Sequence, residues 1–154
     1  MSLKKRLPAE LEKRIKPCPV DFKRVEALLK RAKKDLSSAR LLFEEDLEAA
    51  YTLLYNSMLH GGLAYMEASG ARPDVKGKHK TVIDYIAHAL GKSHESQIQL
   101  FDHMRRRRHQ LIYEPGPFGC SEKEMREAEA TVISFLGLIS QKIKAENPQK
   151  ELEL

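Results

Sequence analysis

The chain has 154 residues, 42% of them hydrophobic, with 27 Lys and Arg against 22 Asp and Glu, which gives a formal net charge of +5. This length fits one domain and is short for two, because domains commonly run to about 100–200 residues. The hydrophobic content is enough for a packed core and argues against wholesale disorder. The modest positive charge permits an anionic partner such as RNA but does not require one.

The sequence contains no recognisable targeting segment, which favours a cytoplasmic protein. The N-terminal sequence lacks the apolar core of a secretory signal, and no apolar run approaches the roughly 20 residues that a membrane span needs. Two distant cysteines, Cys18 and Cys120, are typical of free thiols in a reducing compartment, and without a CxxC pair they argue against a cysteine-based zinc site. We therefore expect a cytoplasmic protein with no membrane partner.

The first part of the chain predicts a basic arm followed by a helix. Residues 1–19 contain three prolines and many Lys and Arg, and we expect a flexible arm there. Apolar residues then recur every three or four positions from Phe22 to Phe43, which is typical of one face of an amphipathic helix. Asp21 is the expected N-cap.

The middle of the chain predicts a long buried helix, a loop and a short helix. The long helix is expected over 47–69, and the Gly61-Gly62 pair within it indicates close approach of another backbone. Residues 71–79 are expected to form a loop, and a short helix is expected over about 80–91.

Two further helices complete the pattern. One runs from near Ser93 to about Tyr113 and ends before a Pro-Gly-Pro stretch; the other opens with Ser121 and Glu124 as a capping box. No strand-like alternation competes with these helices. The predicted fold is all-α, an antiparallel four-helix bundle with an additional short helix over 20–146, flanked by the arm (1–19) and a polar, frayed tail (147–154).

The run Arg105–Arg108 is the most informative polar feature. On a helical wheel that starts at Ile98, the apolar arc spans about 200–360°, with Arg108 near its centre at about 280° and Arg105 inside its edge at about 340°. Arg106 and Arg107 fall at or beyond the rim and fit a solvated surface. A guanidinium keeps its charge, so Arg108 needs a partner: a structural carboxylate, a subunit interface or an anionic ligand such as phosphate.

His109 and Tyr113 fall side by side, one turn apart, next to Arg105 and Arg108. Such a patch of Arg, His and Tyr can bind a phosphodiester and act on it; the alternative is a helix edge at an oligomer contact.

The other histidines show no metal-ligand spacing, and no P-loop, GxGxxG motif or serine elbow occurs. We therefore expect neither a metal site nor a cofactor.

Two stretches resemble the HEPN-domain family, helical proteins of prokaryotic toxin–antitoxin and defence systems. One is AYTLLYNSMLHGGLAY (50–65), followed by Gly70 and Lys78-His79, and it is similar to the family's long second helix and the loop after it. The other is RRRRHQLIYE (105–114), which resembles the family's late-helix motif of an Arg, a polar residue and a later His. The resemblance covers about residues 20–145.

The resemblance implies a homodimeric bundle of four or five helices in which two copies of the motif face each other in a basic cleft. Active members are metal-independent endoribonucleases whose Arg holds the scissile phosphate, and many are encoded beside a minimal nucleotidyltransferase that acts as antitoxin. By match, Arg108 takes the place of the motif Arg and His109 that of the polar residue, with Arg105 adding a second RNA contact.

This chain departs from the motif at one position, since Tyr113 stands where the family has its His. A tyrosine with an ordinary pKa near 10 is a poor general base at neutral pH, but it can donate a hydrogen bond or stack on a base. Two functions stay open. One is RNA binding, with Arg108, His109 and Tyr113 as candidate catalytic residues of a ribonuclease toxin; the other is a non-catalytic module that docks a minimal nucleotidyltransferase.

Overall fold

The computed structural model describes residues 7–74, 77–114, 116 and 119–154. Within these ranges the chain is mostly helical (75% helix), with one small two-stranded sheet. The helices are α1 (Ala9–Glu12), α2 (Phe22–Leu42), α3 (Leu47–Ala68), α4 (Lys78–Leu90), α5 (Glu95–Tyr113) and α6 (Glu122–Glu146). The strands are β1 (Ile15–Pro17) and β2 (Ala71–Pro73), and a short 3₁₀ turn (Lys92–His94) precedes α5. This confirms the all-α class in its coarse form. None of these helices combines the length and apolar character needed to cross a membrane.

Local sequence features set the helix ends as predicted. The Asp21 carboxylate accepts a hydrogen bond from Lys23 N–H at 3.0 Å, and the Ser121 hydroxyl accepts one from Glu124 N–H at 3.1 Å. After α3, Gly70 adopts a φ of 82°, in the left-handed region that favours glycine. The chain therefore turns sharply there and leads directly into β2.

Helix α3 is the centre of the core and contacts α2, α4, α5 and α6. Its pair of glycines allows this close packing. A Cβ added at Gly61 would lie 2.7 Å from Leu136 Cδ2, and one at Gly62 would lie 2.6 Å from Val82 Cγ1. The predicted close approach is therefore found, but the neighbours are side chains of α6 and α4 rather than a backbone.

The sheet was not predicted, and its contacts tie the N-terminal segment to the start of α4. Strands β1 and β2 pair antiparallel with Lys16 opposite Arg72, and Arg14 Nη2 donates to Asp84 Oδ2 of α4 at 2.9 Å. The expectation of a loop throughout 71–79 is wrong, because β2 fills its first part and α4 begins at Lys78. Three-residue strands that contain proline have too few alternating positions to show a period in the sequence.

The C-terminal tail also makes contacts that the sequence did not predict. Leu152 and Leu154 lie partly buried against the core, and Lys150 Nζ lies 5.5 Å from the centre of the Phe22 ring. The tail beyond Asn147 therefore packs on α2 and is not frayed as expected. Apolar side chains at alternate positions of this mainly polar tail allow the packing.

The glycine packing gives a stability prediction with a matched control. Gly62→Ala should destabilise the fold by about 1–2 kcal/mol, because overpacking against Val82 outweighs the gain in helix propensity. Gly137→Ala should stabilise it by about 0.5–1 kcal/mol, because that glycine is exposed in α6 and a Cβ would meet no atom within 4 Å. Urea unfolding monitored by circular dichroism measures both changes, and equal effects would contradict the packing argument.

Candidate functional site

Three of the four consecutive arginines on α5 pair with carboxylates. Arg105 Nε donates to Asp102 Oδ1 at 3.0 Å, and Arg106 Nε lies 3.5 Å from Asp102 Oδ2. Arg107 Nε lies 3.9 Å from Glu124 Oε1 of α6. Burial alone would raise the pKa of Asp102, but its hydrogen bond from Arg105 and the charges of Lys80 and Arg106 hold that pKa below its usual range.

Arg108 differs from these neighbours. Its side chain is half-buried, and its guanidinium carbon lies 5.7 Å from the centre of the Tyr55 ring. Among the residues that the structure describes, no carboxylate pairs with it. A cation–π contact contributes about 0.5–2 kcal/mol but satisfies no N–H group. Arg108 therefore stays charged, and no carboxylate of the described residues is its partner.

Tyr55 connects Arg108 to a histidine that the sequence did not single out. Tyr55 of α3 is fully buried, and its hydroxyl lies 2.8 Å from Nδ1 of His79, in the first turn of α4. Burial raises the pKa of the Tyr55 hydroxyl, which is therefore protonated at neutral pH. Burial, followed by the charges of Arg108 and Arg105, lowers the pKa of His79. The imidazole is therefore neutral at pH 7.

Sequence reasoning missed Tyr55 and His79 for different reasons. Tyr55 lies on the helix that the sequence predicts to be long and buried, and a buried tyrosine hydroxyl needs a polar partner, which is a usable indication. His79 lies within the predicted loop 71–79, because the local residues do not indicate a helix start at Lys78. The two residues belong to separate stretches, which the fold brings together.

Arg107 has a structural role instead of the solvated position expected of it. Its side chain is only 25% exposed. Burial is the main cause of the raised pKa of Tyr51, whose hydroxyl lies beside Arg107. On α6, Glu124 also lies 3.8 Å from His103 Nε2, and burial together with Glu124 raises the pKa of the Cys120 thiol to about 12. These contacts join α5 to α6.

The C-terminal end of α5 exposes two aromatic rings. The rings of His109 and Tyr113 are in contact, with centroids 4.5 Å apart and planes inclined by 46°, which confirms that they lie side by side. Tyr113 is 69% exposed, and in the described part of the chain neither ring forms a hydrogen bond or ion pair with Arg105 or Arg108. Ile112, in the last turn of α5, is 55% exposed.

Charged residues of α5 lie near the Tyr55 hydroxyl: the cations Arg108 and Arg105 and the carboxylate of Asp102. Lys80 Nζ lies 3.1 Å from Asp84 Oδ1 and 3.6 Å from Asp102 Oδ1, so these two carboxylates are each shared among several cations. Lys78 adds a further positive charge beside His79. We define the candidate site by its residues Tyr55, His79, Arg105 and Arg108. In the described ranges, no cluster of His, Cys, Asp or Glu has an arrangement that could hold a metal ion.

Comparisons with protein-family models, with curated proteins and with solved structures find no match.

The lowered pKa of His79 predicts a dependence of stability on pH. Between the folded pKa and the ordinary value of 6.5, the unfolded chain binds more protons, so stability falls as the pH drops through that window. His79→Gln removes this titration and should make the urea midpoint less sensitive to acid. His109→Gln, which changes an exposed histidine, should leave the dependence as in the wild type. An unchanged pH profile in His79→Gln would contradict the assignment.

Proposed function

We propose that this chain is a HEPN-like RNA-binding protein in which Arg108 contacts a backbone phosphate. The observation that carries the proposal is the contrast within one arginine run. Arg105, Arg106 and Arg107 have carboxylate partners, whereas Arg108 has none in the described part of the chain. A guanidinium donates two parallel hydrogen bonds to a phosphate in good geometry, so an anionic phosphodiester supplies the missing partner.

The surroundings of Arg108 suit a nucleic-acid backbone. Lys78, Lys80 and Arg105 add positive charge around the site, which raises the local concentration of a polyanion. The exposed ring of Tyr113, in contact with His109, offers a platform for an unpaired base. These features support single-stranded RNA as the ligand and, with Arg108 on the scissile phosphate, a metal-independent endoribonuclease toxin as the activity.

The proposal includes the finer architecture that the resemblance implies. In it, α2, α3, α5 and α6 form the antiparallel four-helix bundle, and α4 is the additional short helix that carries His79. Two chains form a homodimer in which the ends of α5 meet, because Ile112 and Tyr113 are exposed there beside the arginine run. The two sites then share one basic cleft.

A second function is favoured by the same exposed end of α5. An apolar Ile112 next to an exposed Tyr113 also suits a protein partner, and the resemblance names a minimal nucleotidyltransferase as that partner. In this case the bundle is a docking module without turnover. Co-expression with a nucleotidyltransferase encoded next to this chain tests it, and separate elution of the two proteins would count against it.

The RNA proposal predicts unequal effects of two arginine substitutions. Arg108→Gln should weaken binding of a single-stranded RNA oligonucleotide by about tenfold or more, since a hydrogen bond to a charged group contributes about 1.5–3 kcal/mol. Arg106→Gln, at a side chain that is 64% exposed, should weaken it by less than about threefold. Fluorescence anisotropy at about 50 and about 200 mM salt measures both affinities and their salt slopes.

Two results would contradict this proposal. One is a wild-type protein that fails to bind RNA at low salt. The other is an equal loss for both variants, which would indicate general attraction rather than a specific contact. Thermal melting of Arg108→Gln controls for its folding, and gel analysis of the same RNA without added metal shows whether it is cleaved.

The dimer proposal predicts a particle of twice the 17.6 kDa chain mass in light scattering. The dimer should persist on dilution to micromolar concentration. Tyr113→Ser should shift the population toward monomer, because it removes an exposed ring from the proposed contact. Leu41→Ser, at a side chain that is 82% exposed on α2, is the control and should leave the mass unchanged. A wild-type monomer would exclude the shared cleft.

A further inference from the structure

The position of the proton on His79 follows from the burial of Tyr55. Tyr55 is fully buried, and its hydroxyl makes one hydrogen-bond contact in the described part of the chain, to Nδ1 of His79 at 2.8 Å. A buried hydroxyl that donates to nothing is strongly destabilising, so the hydroxyl donates and Nδ1 accepts. A neutral imidazole that accepts at Nδ1 carries its proton on Nε2. His79 is therefore a hydrogen-bond donor at Nε2.

The Tyr55 ring places this donor near the unpaired arginine. The His79 ring centroid lies 5.6 Å from that of Tyr55, and the Arg108 guanidinium carbon lies 5.7 Å from the same centroid. The two side chains come from α4 and α5, and both rest on one buried residue of α3. A neutral donor and a permanent cation are thus held around a single ring.

We propose that His79 is a second phosphate-binding residue, whose Nε2–H donates to the same phosphate that Arg108 contacts, with Tyr55 as the positioning residue that fixes the imidazole tautomer. This inference rests on the proposed RNA-binding function and adds a contact from another helix. It also gives His79 a defined role: it donates a hydrogen bond and is not a general base, because its Nδ1 is occupied and its Nε2 is protonated.

The proposed contact couples phosphate binding to proton uptake. The charged groups that face His79 are Lys78 on its own helix and Arg105 and Arg108 on α5, while the neutral Tyr55 faces it from α3. A bound phosphate offsets these positive charges, so Nδ1 takes up a proton more readily in the complex than in the free protein, and the Tyr55 hydroxyl then turns to accept from Nδ1–H. By linkage, affinity rises as the pH falls through the titration of His79.

The test measures RNA affinity between about pH 8 and about pH 5.5 at constant ionic strength. Wild-type affinity should rise about three- to tenfold toward acid pH. His79→Gln keeps a donor but cannot titrate, so it should lose most of the rise in affinity toward acid pH. His94→Gln, which changes a histidine in the 3₁₀ turn before α5, should keep the wild-type slope. A wild-type slope in His79→Gln overturns the inference.

A second measurement separates this inference from the proposed function. Imidazole nitrogen chemical shifts should show His79 protonated on Nε2 in the wild type and a mixture of tautomers in Tyr55→Phe, and titration with inorganic phosphate should shift the His79 resonances. RNA binding that depends on Arg108 without any His79 shift overturns the inference alone. A phosphate-dependent His79 shift in a protein that does not bind RNA overturns the proposed function but supports the His79 contact. Protonation on Nδ1 in the wild type also overturns the inference.

Discussion

The buried hydroxyl of Tyr55 is the constraint on which the site depends. The ring has no exposed surface and packs edge-on against Phe101 of α5 at a centroid distance of 5.9 Å. A hydroxyl in this position needs a polar partner, and His79 supplies it from α4. The same ring supports the guanidinium of Arg108. Packing of the core therefore fixes the relative positions of α3, α4 and α5 and, with them, the polar groups of the site.

The N-terminal segment helps to hold α4 in this arrangement. Arg14 pairs with Asp84, Asp84 pairs with Lys80, and Lys80 reaches Asp102 of α5. Partly exposed ion pairs of this kind contribute about 0–1 kcal/mol each, so their effect is on orientation more than on stability. Because β1 pairs with β2 just before α4, the chain between Gly70 and His79 is held at both ends.

Helix periodicity predicted much of the fold and less of the site. The stripe from Phe22 to Phe43 and the Asp21 cap correspond to α2, since both depend on residues close in sequence. The strands and the Tyr55–His79 contact depend on partners 24 or more residues apart, which a local pattern does not show. The helical wheel placed Arg108 correctly near the core but placed Arg107 in solvent, because it could not show Glu124 approaching from α6.

The difference between Arg107 and Arg108 shows how a basic run can contain a specific site. Successive side chains of a helix point in directions about 100° apart. Arg107 therefore points toward α6, where Glu124 neutralises it, whereas Arg108 points toward Tyr55, where no carboxylate of the described residues pairs with it. Had all four guanidinium groups been solvated, they would attract a polyanion without fixing its position. Because three of the four guanidinium groups are paired, the donors of Arg108 remain, and the buried Tyr55 ring sets their direction. An anion that accepts hydrogen bonds from these donors must therefore bind at one place.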